Sequence, residues 1–236
     1  MLPKDAEAIF ALIIEQVGTK GRELHAALAF AAASFATQSE NWAKVGKAQF
    51  DASDFDSSAV SYGRAANYSH NAMHRFCEAT ALMKASRHQD AIQAFETGLD
   101  MRPRNIDAML SLAQCYRSLG KISKARDVLR KTVEMDAKSY KAFFLLGVLS
   151  EALRDQRESI KYYSACIKLK PDFAEAHVNL GLVLQNNRQF KPALECYKKA
   201  MRIRPDYFGR IAQAVTSAQC GQMWLNLGRL RQSLQS

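Results

Sequence analysis

No stretch of this 236-residue chain holds the roughly 18 or more consecutive apolar residues that would carry a helix across a bilayer. Its opening residues, MLPKDAEAIFALII, put acids where a secretory signal needs basic residues and offer no small-residue cleavage site, so a cytoplasmic chain is expected. Glycine and proline are scarce, at 11 and 5 copies, and no low-complexity tract or linker interrupts the chain. No two cysteines form a Cys-x-x-Cys pair. The five present, Cys77, Cys115, Cys166, Cys196 and Cys220, are odd in number and read as small hydrophobes in a reducing compartment rather than a disulfide framework. A Gly-rich phosphate loop, a G-x-S-x-G elbow and a supported Cys/His pairing are all missing, so neither an enzyme nor a cofactor is expected. His70 and His74 are four apart but have no further ligands at zinc spacing; a surface or capping role is expected, and no metal.

What remains is alanine-rich, 48% apolar and poor in β-branched runs, which points to helices. Charge is uneven. Residues 1–71 carry six Lys/Arg against eight Asp/Glu, whereas residues 72–236 carry 27 against 15. A basic C-terminal two-thirds suits an acidic partner: a protein patch, a nucleic-acid backbone or an anionic membrane surface.

The strongest signal is a repeat. Segments 72–105, 106–139, 140–173 and 174–207 each begin 34 residues after the last. Each has a small residue at its eighth position (Ala79, Ala113, Gly147, Gly181) and at its twentieth (Ala91, Ala125, Ser159, Ala193). Each has a large residue at the twenty-fourth (Phe95, Leu129, Tyr163, Tyr197) and a small one at the twenty-seventh (Gly98, Thr132, Cys166, Ala200). Position 32 is Pro103, Pro171 or Pro205, with Ala137 the departure. Two antiparallel helices approach to about 8–10 Å only where small residues meet, and the large residue fills the space beside them. Proline then ends the second helix, because the residue before it is pushed out of helical geometry. A weaker copy spans 39–71, with Trp42, Gly46, Ser58, Tyr62 and Ala65 at the matching positions.

These positions resemble the tetratricopeptide repeat, or TPR. The resemblance implies an all-α, right-handed α-solenoid of TPR helical hairpins, one continuous superhelical domain. The expected organisation is a degenerate helical hairpin over 1–38 with a GTKG turn, five repeats over 39–71, 72–105, 106–139, 140–173 and 174–207, and capping helices over 208–236, where Trp224 and Leu227 would lie in the cap core. An unfinished sixth repeat is the alternative for that last segment.

In the family, the first helix of each repeat, helix A, lines a concave groove at repeat positions 2, 5, 9, 12 and 13. Carried onto this chain, the expected protein-binding residues are Lys47, Phe50, Phe76, Thr80, Met83, Lys84, Gln114, Arg117, Lys141, Phe144, Val148, Gln185 and Asn186. Aromatics and methionine mixed with cations suit an acidic or amphipathic protein segment. The Lys–Asn carboxylate clamp of chaperone-binding repeats is not present, nor is the asparagine ladder of sugar-transferase arms. A second cluster, Arg130, Lys131, Lys168, Lys198, Lys199 and Arg202, falls on the second helices, B, and reads as a convex basic patch. Nucleic acid is not expected there, since no aromatic stacking platform accompanies the charge.

The segment LHAALAFAAASF, residues 24–35, either packs on the first repeat or docks into the groove of another copy through Leu24, Ala27, Leu28, Phe30 and Ala31, which would build rings or filaments. A helical lead-in followed by five repeats is similar to the magnetosome-associated TPR proteins of the MamA type. That resemblance implies a scaffold that self-assembles into homo-oligomers and lies peripherally on the cytoplasmic face of an organelle membrane by binding its proteins. A monomeric adaptor or secretion chaperone with one client peptide is a competing expectation. Another is a direct binder of anionic lipid or nucleic acid through the basic convex edge.

Overall fold

The computed structural model describes the backbone of residues 21–217 and the side chains of residues 34–213. Among them are eleven α-helices and no strand: α1 (Gly21–Asp51), α2 (Phe55–Tyr68), α3 (Ala72–Lys84), α4 (His88–Met101), α5 (Ile106–Ser118), α6 (Ile122–Met135), α7 (Tyr140–Ala152), α8 (Gln156–Leu169), α9 (Ala174–Asn186), α10 (Phe190–Ile203) and α11 (Phe208–Ser217), the last preceded by a 3-10 turn, Pro205–Tyr207. The chain divides after Lys121 into two compact units. The division falls between α5 and α6, where Leu119, Gly120 and Lys121 are exposed and Gly120 has a positive φ of 70°. Within each unit, helices pack on their chain neighbours: α1 on α2, α2 on α3 and so on to α5, then α6 on α7 through to α10.

Local chemistry places the helix ends. Asp54, Asn71, Asn105 and Asp155 accept a hydrogen bond from a backbone N–H of the first turn of α2, α3, α5 and α8. Each A helix ends in the same way. In α7 the Arg154 N–H donates to the Glu151 carbonyl at 2.9 Å and the Asp155 N–H to the Ser150 carbonyl at 2.9 Å, which is a Schellman closure. The residue at its centre has positive φ, and it recurs at Ser53, Ser86, Gly120, Arg154 and Arg188.

Hairpins close over the small positions. A Cβ added to Gly46, Gly147 or Gly181 would lie 3.0, 2.6 or 2.5 Å from a ring atom of Tyr62, Tyr163 or Tyr197. In the second unit Tyr163 and Tyr197 are buried in a core with Val178, Leu184 and Ile211, so α11 covers the last hairpin. Trp224 and Leu227 lie outside the described residues.

At the other end, α1 runs unbroken through residues 38 and 39, where the sequence reading ends one segment and starts the next. No glycine or proline stands at 37–41 to stop it. Ser39 is 2% exposed, with its hydroxyl 2.9 Å from the Ala65 carbonyl and 2.8 Å from the Ser69 hydroxyl. Phe35 stacks on Tyr68 at 6.1 Å between centroids. The lead-in helix and the first A helix are therefore one element. Residues 1–20 lie outside the description.

Candidate functional site

The A helices of the first unit, α1, α3 and α5, share a face on which a recess of about 380 Å³ opens. Its walls are Phe50 from α1, Met73, Phe76, Cys77 and Thr80 from α3, and Asn105, Asp107, Ala108 and Ser111 at the start of α5; Tyr62 and Phe95, from the B helices, form its floor. Three of the expected groove residues, Phe50, Phe76 and Thr80, thus meet in one place.

Each wall is held by packing or a hydrogen bond. Phe76 is 6% exposed, and a Cβ on Gly98 would come within 2.5 Å of its ring, so α4 presses against α3 at that point. Phe50 meets Phe55 edge to face at 5.2 Å. The Thr80 hydroxyl donates to the Phe76 carbonyl at 2.7 Å, and the Asn105 carboxamide oxygen is occupied by the Ala108 N–H at 3.0 Å. The Tyr62 hydroxyl bonds the Cys77 thiol. Burial, then the nearby Cys77 and Asp51, push the phenol upward; burial also pushes the thiol up, against the opposing hydrogen bond. Aromatic and other apolar groups thus make up most of the recess wall, and Asp107 is the charged group in its lining. Met73 stands at its mouth, 47% exposed.

Lys47 and Lys84 are exposed one helical turn from Phe50 and Thr80 on the same helices, and neither makes an ion pair among the described residues. Met83 is half-buried; Gln114 and Arg117 are exposed on α5.

In the second unit the expected residues divide. Phe144 is half-buried, 5.0 Å from Phe173 and 5.8 Å from Tyr163 between ring centroids, and Val148 is half-buried beside the same core. Lys141 and Asn186 are exposed. Gln185 is a correction: it is 2% exposed and accepts a hydrogen bond from the Tyr197 hydroxyl at 3.0 Å, so it offers no surface. The cause is the tyrosine at position 24, whose hydroxyl reaches position 12 of its own repeat. Tyr163 does the same to Glu151 at 2.9 Å.

Among the basic residues of the second unit, Arg130, Lys131, Lys168, Lys199 and Arg202 are exposed on B helices. Lys198 is largely covered, with its ammonium 3.7 Å from Glu195. Leu24, Ala27, Leu28, Phe30 and Ala31 lie on α1, but their side chains are outside the described residues. His74 is tied at Nδ1 to the Ser69 hydroxyl, 3.0 Å away. The described residues contain no group of three or more potential metal ligands and no helix long and apolar enough to cross a membrane. Sequence reasoning missed Tyr62, Phe95, Cys77 and Ser111 as recess residues. Position 24 was legible only as packing, yet its ring also forms the floor.

Profiles described as tetratricopeptide repeat match residues 82–144, 140–173 and 174–207, together more than half of the chain. The chain is 29% identical over 132 residues to the Hordeum vulgare protein named "Probable UDP-N-acetylglucosamine--peptide N-acetylglucosaminyltransferase SPINDLY", a match covering 52% of this chain and only 14% of that protein. A solved structure of MamA from Desulfovibrio magneticus shares its fold with a TM-score of 0.65 at 17% identity, over 72% of this chain and 96% of that one. YrrB, described as a TPR protein with an unusual peptide-binding site, gives 0.60 at 19% identity, over 75% of this chain and 91% of its own.

Proposed function

This chain belongs to the tetratricopeptide repeat superfamily, and on that premise we propose that it is a non-enzymatic scaffold whose A-helix faces bind segments of partner proteins. The observation that carries this is the aromatic recess of α1, α3 and α5 with Lys47 and Lys84, neither ion-paired among the described residues, beside it. An apolar recess beside fixed positive charge suits an amphipathic segment bearing acids. The fold likeness to YrrB, with its described peptide-binding site, agrees with this use.

The finer reading follows the MamA-type likeness. The chain self-assembles, with residues 1–38 as the docking segment, residues 39–207 as five binding repeats and residues 208–236 as the cap. It reaches an organelle membrane peripherally, through the proteins it holds. Sedimentation velocity of the whole chain and of a chain lacking residues 1–38 tests the assembly; equal oligomers would end the docking role.

The exposed basic residues of α6 and α10 favour one rival, an anionic surface bound by the B helices. Charge reversal separates the two. Lys84→Glu with Arg117→Glu should abolish capture of partners from the native organism, whereas Lys198→Glu with Lys199→Glu should leave it intact. The opposite pattern, with steep loss of binding in salt, would replace the groove by the basic face.

A further inference from the structure

We infer that the recess of the first unit takes one bulky apolar side chain, and that the segment carrying it places a carboxylate toward Lys84. This rests on the reading that the A-helix faces bind protein segments, and it specifies what such a segment must contain.

Size comes first. Sites that enclose a whole small ligand run from about 300 to 1,000 Å³. At about 380 Å³ this recess is near the lower bound, with room for a single aromatic or long aliphatic side chain and not for a stretch of peptide. Its lining is chemically consistent with that occupant. Phe50, Phe76 and Phe95 offer ring faces and edges, and Met73 at the mouth is unbranched and able to reshape around what enters. Three of the polar groups in the lining are already engaged: the Thr80 hydroxyl by the Phe76 carbonyl, the Asn105 carboxamide oxygen by the Ala108 N–H, and the Tyr62 hydroxyl by Cys77; Ser111 and the Asp107 carboxylate, both from α5, complete the polar lining. A polar side chain entering would lose water and find few partners in return.

Charge sets the register. Lys84 stands four residues beyond Thr80 on α3, about 6 Å along the axis at 1.5 Å per residue. A partner carboxylate facing it lies about two residues from the anchor in an extended segment, at about 3.3 Å per residue, or four in a helix. Both Lys47 and Lys84 are without an ion pair among the described residues, so neither must break one to accept the carboxylate.

The test selects peptides from a random twelve-residue phage library on the whole protein, then measures one synthetic selected peptide by fluorescence anisotropy. The expected peptides share one Trp, Phe, Leu or Met with an Asp or Glu two or four residues away. Replacing that anchor by Ala weakens binding about thirtyfold or more, the loss typical of a residue filling a central pocket. Saturating peptide slows alkylation of Cys77, which lines the recess, and leaves Cys196 unchanged. Thr80→Trp, which fills the recess, abolishes binding, and Lys84→Glu weakens it about tenfold. Should Thr80→Trp fail to fold, Cys77 protection on the unaltered chain decides the matter. Peptides that bind without an anchor, or that leave Cys77 alkylation unchanged, overturn the inference while the groove reading stands. A library that yields no binding peptide overturns both.

Discussion

The ring of Tyr163 lies so close under Gly147 that a Cβ on that glycine would sit 2.6 Å from both Cδ1 and Cε1. Tyr163 is fully buried and its hydroxyl is held by Glu151, so the ring has nowhere to retreat. Gly147→Ala gains about 1 kcal/mol of helix propensity, but overpacking at such a site costs about 1–3 kcal/mol. The net expectation is destabilisation, larger still for Gly147→Leu. Gly209, with nothing within 4 Å, is the control, and its Ala variant should be neutral or stabilised. Urea midpoints at constant m-value measure both, and an unchanged Gly147→Leu midpoint would refute the packing account.

The Schellman centres at Ser53, Ser86, Arg154 and Arg188 hold left-handed backbone without glycine, with φ between 57° and 63°. That conformation costs an L-residue about 1–2 kcal/mol, and glycine returns part of this through its freer unfolded chain. Arg154→Gly and Ser86→Gly should each stabilise the fold by about 0.5–1 kcal/mol, and Gly120→Ala should destabilise it by a similar amount. Thermal and chemical denaturation give the comparison; a loss of stability in both Gly variants would contradict it.

His177 is 3% exposed, donates from Nε2 to the Pro171 carbonyl at 2.8 Å and leaves Nδ1 buried without a partner among the described residues. Burial chiefly, with help from Lys199 and against the Pro171 bond, holds its pKa below the usual 6.5. A depressed pKa means that the folded state binds the proton less well than the unfolded state. Stability is then full above about 6.5 and is lost as pH falls through the folded value. His74 is lowered by burial too and adds to the same slope. Unfolding free energy should drop between pH 7 and 5, and less steeply in His177→Gln. Parallel profiles for the two proteins would remove His177 from the explanation.

Burial pushes the Cys115 thiol to about 11 and the Cys166 thiol to about 12, and both side chains are inaccessible. Thiolate is the nucleophile, so iodoacetamide at pH 8 should leave these two intact in the native protein and modify them on unfolding. Cys77, half-buried in the recess, should react sooner. Mass spectrometry of timed digests reads the order; native labelling of Cys166 ahead of Cys77 would show that the core opens readily.

The all-α fold was legible because its spacing rules are local. Small residues at Gly147 and Gly181, large ones at Tyr163 and Tyr197, and prolines at Pro103 and Pro171 each announce a helix pair. The turn conformations were not. Only Gly120 advertises positive φ; Ser86 or Arg154 looks ordinary, and the strain is imposed by the closure of the hairpin. The unbroken helix through Ser39 was hidden for the same kind of reason, since family spacing placed a start where the local residues carry no stop. In the site, Phe50, Phe76 and Thr80 could be read from register. Gln185 could not, because its burial depends on whether the facing residue is a tyrosine with a hydroxyl in reach.

Because within each unit the helices rest mainly on their neighbours in the chain, the native contacts close loops of modest length. Such a protein should refold quickly. It should also tolerate the loss or duplication of a whole 34-residue segment better than a cut through one, as each remaining neighbour keeps its mate. The length of the chain is thus a quantity that heredity can adjust in whole steps, with the row of A helices growing or shrinking by one each time.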